Sequence, residues 1–144
     1  MKEIVRINHL GLRVRDLDTA RGFYEKLGFE FLAGPLGPEP VAVMEHPSGI
    51  NINFILNASP DASPVNLLMD VAAKHTGYTH VALQIQSVEA AEALMDQLGV
   101  AITGRHSFKG INTIFIRDPD RNVIELVEHS GPNFFTEVHS SQHV

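Results

Sequence analysis

Two histidines and one glutamate are the residues of this sequence best suited to chemistry. His9 and His80 each lie in a strand-like segment with apolar neighbours, and Glu125 interrupts another apolar segment. A carboxylate taken into a sheet costs several kcal/mol unless a partner pairs with it or a metal coordinates it. Two neutral imidazoles and one carboxylate form a facial set that binds a divalent metal such as iron(II) and leaves coordination positions open. We therefore predict that His9, His80 and Glu125 bind a metal ion.

The chain contains two copies of one unit, which relates these positions to each other. Residues 8–14 align with residues 79–85 at an offset of 71 (80 − 9), without a gap through the segment that follows. Residues 46–54 align with residues 118–126 at an offset of 72 (125 − 53). A chance likeness of two unrelated βα units is the alternative, and the length of the match favours a true repeat.

The repeat pairs His9 with His80, and Asn53 with Glu125. Leu10 and Val81 follow the two histidines, and apolar residues lie on both sides of Asn53 and Glu125, so each polar side chain is predicted on the sheet face opposite the helix. If the two modules pack about a pseudo-twofold axis, these faces meet in a trough where the imidazoles and the carboxylate converge. A single histidine on a strand is more often an ordinary surface residue, but three repeat-related positions favour metal ligation.

The first copy predicts a β-α-β-β-β module over residues 1–57. Asp16 is typical of a helix N-cap, apolar residues follow it at helical spacing, and Gly28 is placed to end the helix. The predicted strands are residues 4–14, 29–32, 41–45 and 50–57. Residues 34–40 contain three prolines and two glycines and are predicted to form an irregular loop.

The second copy predicts the same order over residues 78–129, with a helix capped by Ser87 and ended by Gly99. The predicted strands are residues 79–86, 100–103 and 111–117, and a last strand that ends near residue 129. Residues 104–110 are predicted to form a loop.

Two segments lie outside the copies. Residues 58–77 connect them, and apolar residues between 65 and 72 predict a short helix there. The tail, residues 130–144, has no clear periodicity, and we expect it to cover a sheet edge or to have no fixed structure.

Composition narrows the function further. The chain has 144 residues, enough for one compact domain, and its 44% hydrophobic content is enough for a core. It has no cysteine, which excludes disulfides, thiolate metal sites and a cysteine nucleophile. A net charge of −6 argues against non-specific nucleic-acid binding. No apolar run is long enough for a signal peptide or a membrane span, so we expect a cytoplasmic protein without a membrane partner.

Three segments resemble the vicinal-oxygen-chelate superfamily, namely residues 8–17, 22–29 and 115–126. This superfamily includes glyoxalase I, fosfomycin and bleomycin resistance proteins, methylmalonyl-CoA epimerases and extradiol dioxygenases. The resemblance implies an α+β fold of two tandem βαβββ modules that form a cupped mixed sheet with the helices outside. It also implies a homodimer with the sites at or near the interface. In some members each site takes ligands from both chains, and His9 would then serve the partner's site.

Departures from the superfamily pattern separate the activities. Asn53 stands where glyoxalase I-like and epimerase-like members usually carry a fourth ligand, most often glutamate. Asn53 cannot take a proton, which argues against that isomerase chemistry. Three ligands are typical of extradiol dioxygenases and fosfomycin-modifying enzymes, although Phe115 stands where these often have tyrosine. Residues 130–135 contain no arginine or lysine, which argues against a phosphonate substrate, and extradiol dioxygenases are typically twice this length.

The favoured prediction is therefore a metal-dependent enzyme with dioxygenase-type chemistry on a small substrate that chelates the metal through adjacent oxygens. Iron(II) or manganese(II) is the expected ion, with nickel(II) and zinc(II) as alternatives. A glyoxalase-like lyase or isomerase, or a metal-free binding protein like bleomycin resistance proteins, remains the alternative.

Five further residues are assigned to the site by their positions. His106 is predicted as a proton shuttle, since histidine titrates near neutral pH, with an exposed loop histidine as the alternative. The predicted substrate contacts are Asn53, Arg13, Gln84 and Phe115. Arg13 could equally form an ordinary ion pair, and Phe115 could be plain core.

Overall fold

The computed structural model describes residues 1–60 and 63–128. Contacts between residues divide the chain into two units. The first contains Met1–Asn66 and Asp118–Arg121, and the second contains Leu67–Arg117 and the described residues from Asn122 onward. Within the described residues, each unit has four strands and one helix.

The first unit is a mixed four-stranded sheet with a helix between its first two strands. Its elements are β1 (Leu10–Arg13), α1 (Leu17–Lys26), β2 (Glu30–Leu36), β3 (Val41–Glu45) and β4 (Asn51–Ile55). The strand order is β1-β4-β3-β2, with β1 parallel to β4 and the other pairs antiparallel.

Helix α1 begins and ends where its sequence predicts. The Asp16 side chain accepts a hydrogen bond from Thr19 N at 2.8 Å, and hydrogen bonds from Thr19 hold the pKa of Asp16 below its ordinary value. Gly28 has φ +91°, a conformation that glycine adopts at little cost after a helix. The buried apolar residues of this unit are Val14, Ala20, Tyr24, Phe29, Ala42, Met44, Ile52 and Phe54.

The second unit repeats this arrangement. Its elements are β5 (His80–Ile85), α2 (Val88–Leu98), β6 (Ile102–Phe108), β7 (Ile111–Arg117) and β8 (Val123–Glu128). The strand order is β5-β8-β7-β6, and β5 runs parallel to β8. Ser87 caps α2 by accepting from Ala90 N at 3.1 Å, and Gly99 ends it with φ +69°. The buried apolar residues are Met95, Ile114, Ile116, Val123, Ile124 and Leu126.

These elements confirm the predicted β-α-β-β-β order in both copies. The helices begin at the predicted caps, and β3 and β7 have the predicted bounds. The predicted α+β class with two βαβββ modules is likewise confirmed, and each module has its own four-stranded mixed sheet.

The predicted loop over residues 34–40 is wrong in its first part, because β2 continues to Leu36. Pro35 has no main-chain N–H to donate. It is tolerated in β2 because an edge strand has a partner on one side only. The pairing with β3 shifts register on either side of Ala33. A Cβ atom at Gly34 would lie 2.6 Å from Ala42 Cα, so glycine is required at this close approach.

The predicted loop over residues 104–110 is also wrong, because β6 covers residues 102–108. Only Lys109 and Gly110 remain as the hairpin turn, and both have positive φ (48° and 78°), as in the tight turns that join antiparallel strands. Main-chain pairing with β7 determines the structure here, although the side chains include loop-forming types.

The predicted short helix over residues 65–72 is wrong, since turns and bends occupy residues 67–73. Side-chain contacts hold this segment instead. Both terminal nitrogens of Arg117 donate to the Asp70 carboxylate, at 3.0 and 2.9 Å. The Asn66 amide donates to the Arg121 carbonyl at 3.2 Å.

The turn at Asp118–Arg121 belongs to the first unit by its contacts, although the repeat assigns it to the second copy. The Tyr24 hydroxyl donates to Asp118 Oδ2 at 2.8 Å, and Arg15 N donates to Asp120 Oδ1 at 3.2 Å. Tyr24 and Asp118 are only 3% and 4% exposed. This turn is therefore hydrogen-bonded to both ends of the segment that contains α1.

The last two predictions concern membrane-spanning segments and the tail, residues 130–144. Among the described residues, no helix has the length and apolar character needed to cross a membrane. The predicted behaviour of the tail over residues 130–144 concerns residues outside the described part of the chain.

Candidate metal centre

Two neighbouring strands of the second unit bring His80 and Glu125 together. Glu125 lies opposite Ala82 in the parallel pairing of β5 with β8. His80 lies two residues before Ala82, and it faces the same side of the sheet because side chains alternate along a strand. The His80 Nε2 atom is 3.0 Å from Glu125 Oε2. Two of the three predicted ligands are thus in direct contact.

His80 and Glu125 lie on the accessible face of the second sheet, and the neighbours of Glu125 along the strand are buried on its other face. Ile124 and Leu126 flank Glu125 and are only 1% and 6% exposed on the other face of β8. The side chains of His80 and Glu125 are 38% and 21% exposed. The pair is therefore fixed by a packed strand and still open to an ion or a small molecule.

The residue before each predicted histidine ligand contacts its ring. Thr79 Oγ1 lies 2.8 Å from Nδ1 of His80. Asn8 Oδ1 lies 2.8 Å from Nδ1 of His9. In both rings the Nδ1 atom is engaged by the protein, and Nε2 is the nitrogen that remains for a ligand. Neither Asn8 nor Thr79 was singled out by the sequence, because polar residues before a strand are common.

His9 and Asn53 belong to the first unit. Asn53 lies opposite Gly11 in the β1–β4 pairing, on the face away from the buried Ile52 and Phe54. Position 53 in β4 thus corresponds to position 125 in β8. His9 precedes β1 by one residue, so the predicted strand over residues 4–14 is wrong in its first part, where His9 was expected. Within either unit, no cluster of three or more His, Asp or Glu side chains in the described residues could by itself hold a metal. Convergence of His9 with the pair in the second unit stays a prediction.

Phe115 and His106 share the face of the second sheet that carries Glu125. Phe115 lies directly opposite Glu125 in the β7–β8 pairing. Gly104 is paired with Phe115 on its other side, and a Cβ atom at Gly104 would lie 3.4 Å from the Phe115 ring. His106 lies on β6 opposite Thr113, two residues along from the Gly104–Phe115 pair. The predicted loop position of His106 is wrong, and its strand position places it on the face of the candidate site.

The two predicted polar substrate contacts differ in what holds them. Gln84 lies opposite Val127 on the same face as His80, and it is exposed. Arg13 Nε donates to the Asn57 side-chain oxygen at 2.9 Å. This partner is a neutral amide, so the hydrogen bond orients Arg13 without neutralising its charge.

The donor atoms fit a divalent transition metal. Ligand atoms about 2.1 Å from an octahedral ion and 90° apart are separated by about 3.0 Å. The separation between His80 Nε2 and Glu125 Oε2 is 3.0 Å, so these atoms could occupy adjacent positions around one ion. A mixed imidazole and carboxylate set suits iron(II), manganese(II), nickel(II) and zinc(II).

A separate cavity lies beside the edge strand β6. Its volume is about 260 Å³, and its lining includes Glu92, Arg105 and His106 but neither His80 nor Glu125. Arg105 Nε and Glu92 Oε1 form an ion pair at 2.7 Å across its wall. Val88 and Glu92 of α2 also line the cavity, which contains neither of the two contacting ligand candidates.

Solved structures with the same fold support the architecture. A glyoxalase family protein from Enterococcus faecalis matches with a TM-score of 0.67 and 23% identity, over 85% of this chain and 97% of that chain. A glyoxalase/dioxygenase from Nostoc punctiforme matches with a TM-score of 0.68 and 21% identity, over 88% and 92%. The genomically encoded fosfomycin resistance protein FosX from Listeria monocytogenes matches with a TM-score of 0.64 and 20% identity, over 88% and 95%. At these identities the likeness shows the fold.

The sequence itself gives the family. No curated protein matches it. The sequence model of the Glyoxalase/Bleomycin resistance protein/Dioxygenase superfamily matches residues 6–126, which include both copies of the repeat and all three predicted ligands. The chain therefore belongs to the glyoxalase/bleomycin resistance protein/dioxygenase superfamily.

Proposed function

We propose that this protein is a metal-dependent enzyme that acts on a small substrate with two adjacent oxygen atoms. The observation that carries the proposal is the 3.0 Å contact between His80 Nε2 and Glu125 Oε2 on an accessible sheet face. His9, the repeat partner of His80, is the proposed third ligand. Membership of a superfamily with many enzymes agrees with this proposal.

Iron(II) or manganese(II) is the proposed ion, and nickel(II) or zinc(II) would fit the same donors. When bound, such an ion supplies Lewis acidity and about three open coordination positions, enough for a chelating substrate and one further small molecule. His9, His80 and Glu125 would hold it.

The other residues of the face would bind and orient the substrate. Phe115, directly beside Glu125, is proposed as an apolar wall that excludes water from one side. Gln84 and Arg13 are proposed to donate hydrogen bonds to substrate oxygens. His106, on the same face of the second sheet, is proposed to hold or transfer a proton of the substrate.

Asn53 favours dioxygenase-type chemistry over isomerisation. An isomerase that moves a proton next to a carbonyl needs a base, and an amide cannot accept that proton. Asn53 can instead donate or accept a hydrogen bond. The proposed reaction is therefore the addition of both atoms of dioxygen, the oxidant, to a substrate such as a catechol, with the protein binding and orienting the substrate.

Metal analysis of untagged protein purified without chelators tests the proposal. We expect about one ion per chain, either as purified or after reconstitution with iron(II), manganese(II), nickel(II) or zinc(II). His80→Ala and Glu125→Ala should lose the ion, and His75→Ala, which removes an exposed histidine of the connection, should retain it. Protein that binds none of the four ions stoichiometrically would contradict the enzyme proposal and favour a metal-free binding protein.

Oxygen consumption with a panel of catechols tests the reaction class. We expect consumption that depends on the metal and is absent from Glu125→Ala. A metal-loaded protein that leaves catechols unchanged but isomerises a hemithioacetal would instead be a glyoxalase-like enzyme.

A further inference from the structure

We propose that Asn8 and Thr79 are positioning residues that hold Nδ1 of the two histidine ligands and so direct Nε2 towards the ion. The inference deepens the proposed metal site and rests on it. It concerns residues that precede the ligands and do not themselves contact the ion.

The contact at His9 determines which nitrogen carries the proton. Asn8 Oδ1 lies 2.8 Å from His9 Nδ1. An amide oxygen can only accept a hydrogen bond, so Nδ1 must donate. In the neutral ring the Nε2 atom then holds the free electron pair, which is the form that binds a metal.

The contact at His80 has the same length as that at His9, and it directs the other ring nitrogen at Glu125. Thr79 Oγ1 lies 2.8 Å from His80 Nδ1, and Thr79 is only partly exposed. With Nδ1 held there, the ring points Nε2 at Glu125, 3.0 Å away. The ring is therefore clamped between a hydroxyl on one side and the other proposed ligand on the opposite side.

The repeat argues that the contacts of Asn8 with His9 and of Thr79 with His80 did not arise by chance. Asn8 and Thr79 occupy the same position in the two copies, one residue before each histidine. Their side chains differ in chemistry, yet each places an oxygen at the same distance from Nδ1. Adjacent side chains within a strand point to opposite faces, but His9 precedes β1 and His80 is the first residue of β5, so the preceding side chain can still reach the ring. Both copies thus place a side-chain oxygen against Nδ1, one from an amide and one from a hydroxyl.

Two matched pairs of variants test the role. Thr79→Val keeps the shape of the side chain and removes the oxygen, whereas Thr79→Ser keeps the oxygen. Asn8→Ala removes the acceptor at His9, whereas Asn8→Asp keeps an acceptor oxygen. Loss of a hydrogen-bonded partner behind a histidine ligand typically weakens metal affinity by about 10- to 100-fold.

The first measurement is metal affinity by titration with manganese(II) and zinc(II) at constant pH. We expect Thr79→Val and Asn8→Ala to bind about 10- to 100-fold more weakly than wild type, and Thr79→Ser to stay close to it. Unchanged thermal midpoints would show that each variant folds. Wild-type affinity in both Thr79→Val and Asn8→Ala would overturn the inference.

The second measurement is made without metal, so it separates this inference from the proposed function. Long-range ¹⁵N–¹H correlation spectra of the metal-free protein report which ring nitrogen carries the proton. We expect the Nδ1–H form for His9 in wild type and a shift towards the Nε2–H form in Asn8→Ala. The same spectrum in both proteins would overturn the positioning role. If Asn8→Ala shows this shift but wild type binds no metal, the positioning role is supported and only the proposed metal site is overturned.

Discussion

Asn53 and Glu125 occupy equivalent positions in the two copies and differ in one property that decides the chemistry. Each is flanked by buried apolar residues and faces away from its helix. Only Glu125 has a carboxylate, and a histidine nitrogen lies beside it. We propose that Asn53 borders the same site, where this difference would leave one side without a charged ligand and open to a substrate.

We expect Asn53→Glu to close that side. A fourth ligand should tighten metal binding by about tenfold, because affinity rises with the number of charged ligands, and it should lower oxygen consumption by removing an open position. Metal titration and an oxygen electrode measure both effects. Asn112→Glu adds the same charge at an exposed position of β7 and serves as control. If both variants behave alike, position 53 does not face the metal.

Asp120 gives the protein a stability that depends on pH. Its pKa is raised above 3.8, chiefly by burial and further by the charge of Asp118. A carboxyl group whose pKa is raised in the folded state favours folding at low pH, and this contribution is lost as the pH rises through the raised value. We expect Asp120→Asn to gain stability relative to wild type as the pH rises through that range.

Urea unfolding at a series of pH values measures this gain. The asparagine oxygen can still accept from Arg15 N, so the hydrogen bond need not be lost. Glu39→Gln, which removes an exposed carboxylate of the β2–β3 connection, should show a stability difference that changes little with pH. A falling advantage for Asp120→Asn at higher pH would contradict the burial of its charge.

At the scale of elements, the contact between α1 and the Asp118–Arg121 turn should contribute strongly to stability. The Tyr24 hydroxyl donates to Asp118, and burial raises the pKa of Tyr24 above its ordinary value. Tyr24→Phe would leave Asp118 Oδ2 without this donor in a buried setting. We expect a loss of about 2 kcal/mol in the free energy of unfolding, measured in urea.

Tyr78 provides a matched control for this prediction. It is the other tyrosine of the chain and is 100% exposed. Tyr78→Phe should leave the free energy of unfolding almost unchanged. Equal effects of the two substitutions would show that the buried hydrogen bond contributes little.

The elements that the sequence predicted correctly have local causes. Asp16 and Ser87 accept main-chain hydrogen bonds within three residues, so the start of each helix can be recognised locally. Strand β6 was missed because glycine, serine and histidine favour loops locally, whereas pairing with β7 is a tertiary effect. The helix predicted at residues 65–72 was wrong because the Asp70–Arg117 ion pair joins residues 47 apart, which local patterns do not reveal.

For the candidate site, the face of each strand residue was predictable from the sequence, whereas the side-chain contacts were not. The repeat predicted that His80 and Glu125 point to one face, since strand alternation is strict. It did not predict the orienting oxygens of Asn8 and Thr79, because these contacts depend on side-chain torsions. The position of His106 on β6 also depended on the missed strand.

At the scale of the whole molecule, we propose a homodimer in which His9 of one chain completes the site of the other. The second unit contains His80 and Glu125, whereas the proposed third ligand, His9, belongs to the first unit. Short members of the superfamily this chain resembles are usually dimers with sites at or near the interface. Analytical ultracentrifugation should give twice the 15.8 kDa mass of one chain.

Mixed dimers test where His9 acts. His9→Ala and Glu125→Ala should each bind no metal alone. After co-expression, a dimer with one chain of each kind would contain one intact site if ligands come from two chains. We expect about one site in four to regain metal under random pairing. A mixture that remains free of metal, while wild type binds it, would show that His9 serves its own chain.

The Asp118–Arg121 turn also shows that the duplicated sequence and the folded unit have different boundaries. A gene divided between the two copies would leave the first half without the carboxylate that pairs with Tyr24. The second half would keep that carboxylate without its buried donor. We therefore expect each half, expressed alone, to lack one partner of this buried hydrogen bond. At this turn the boundary of the sequence repeat and the boundary of the folded unit therefore differ by four residues, Asp118–Arg121.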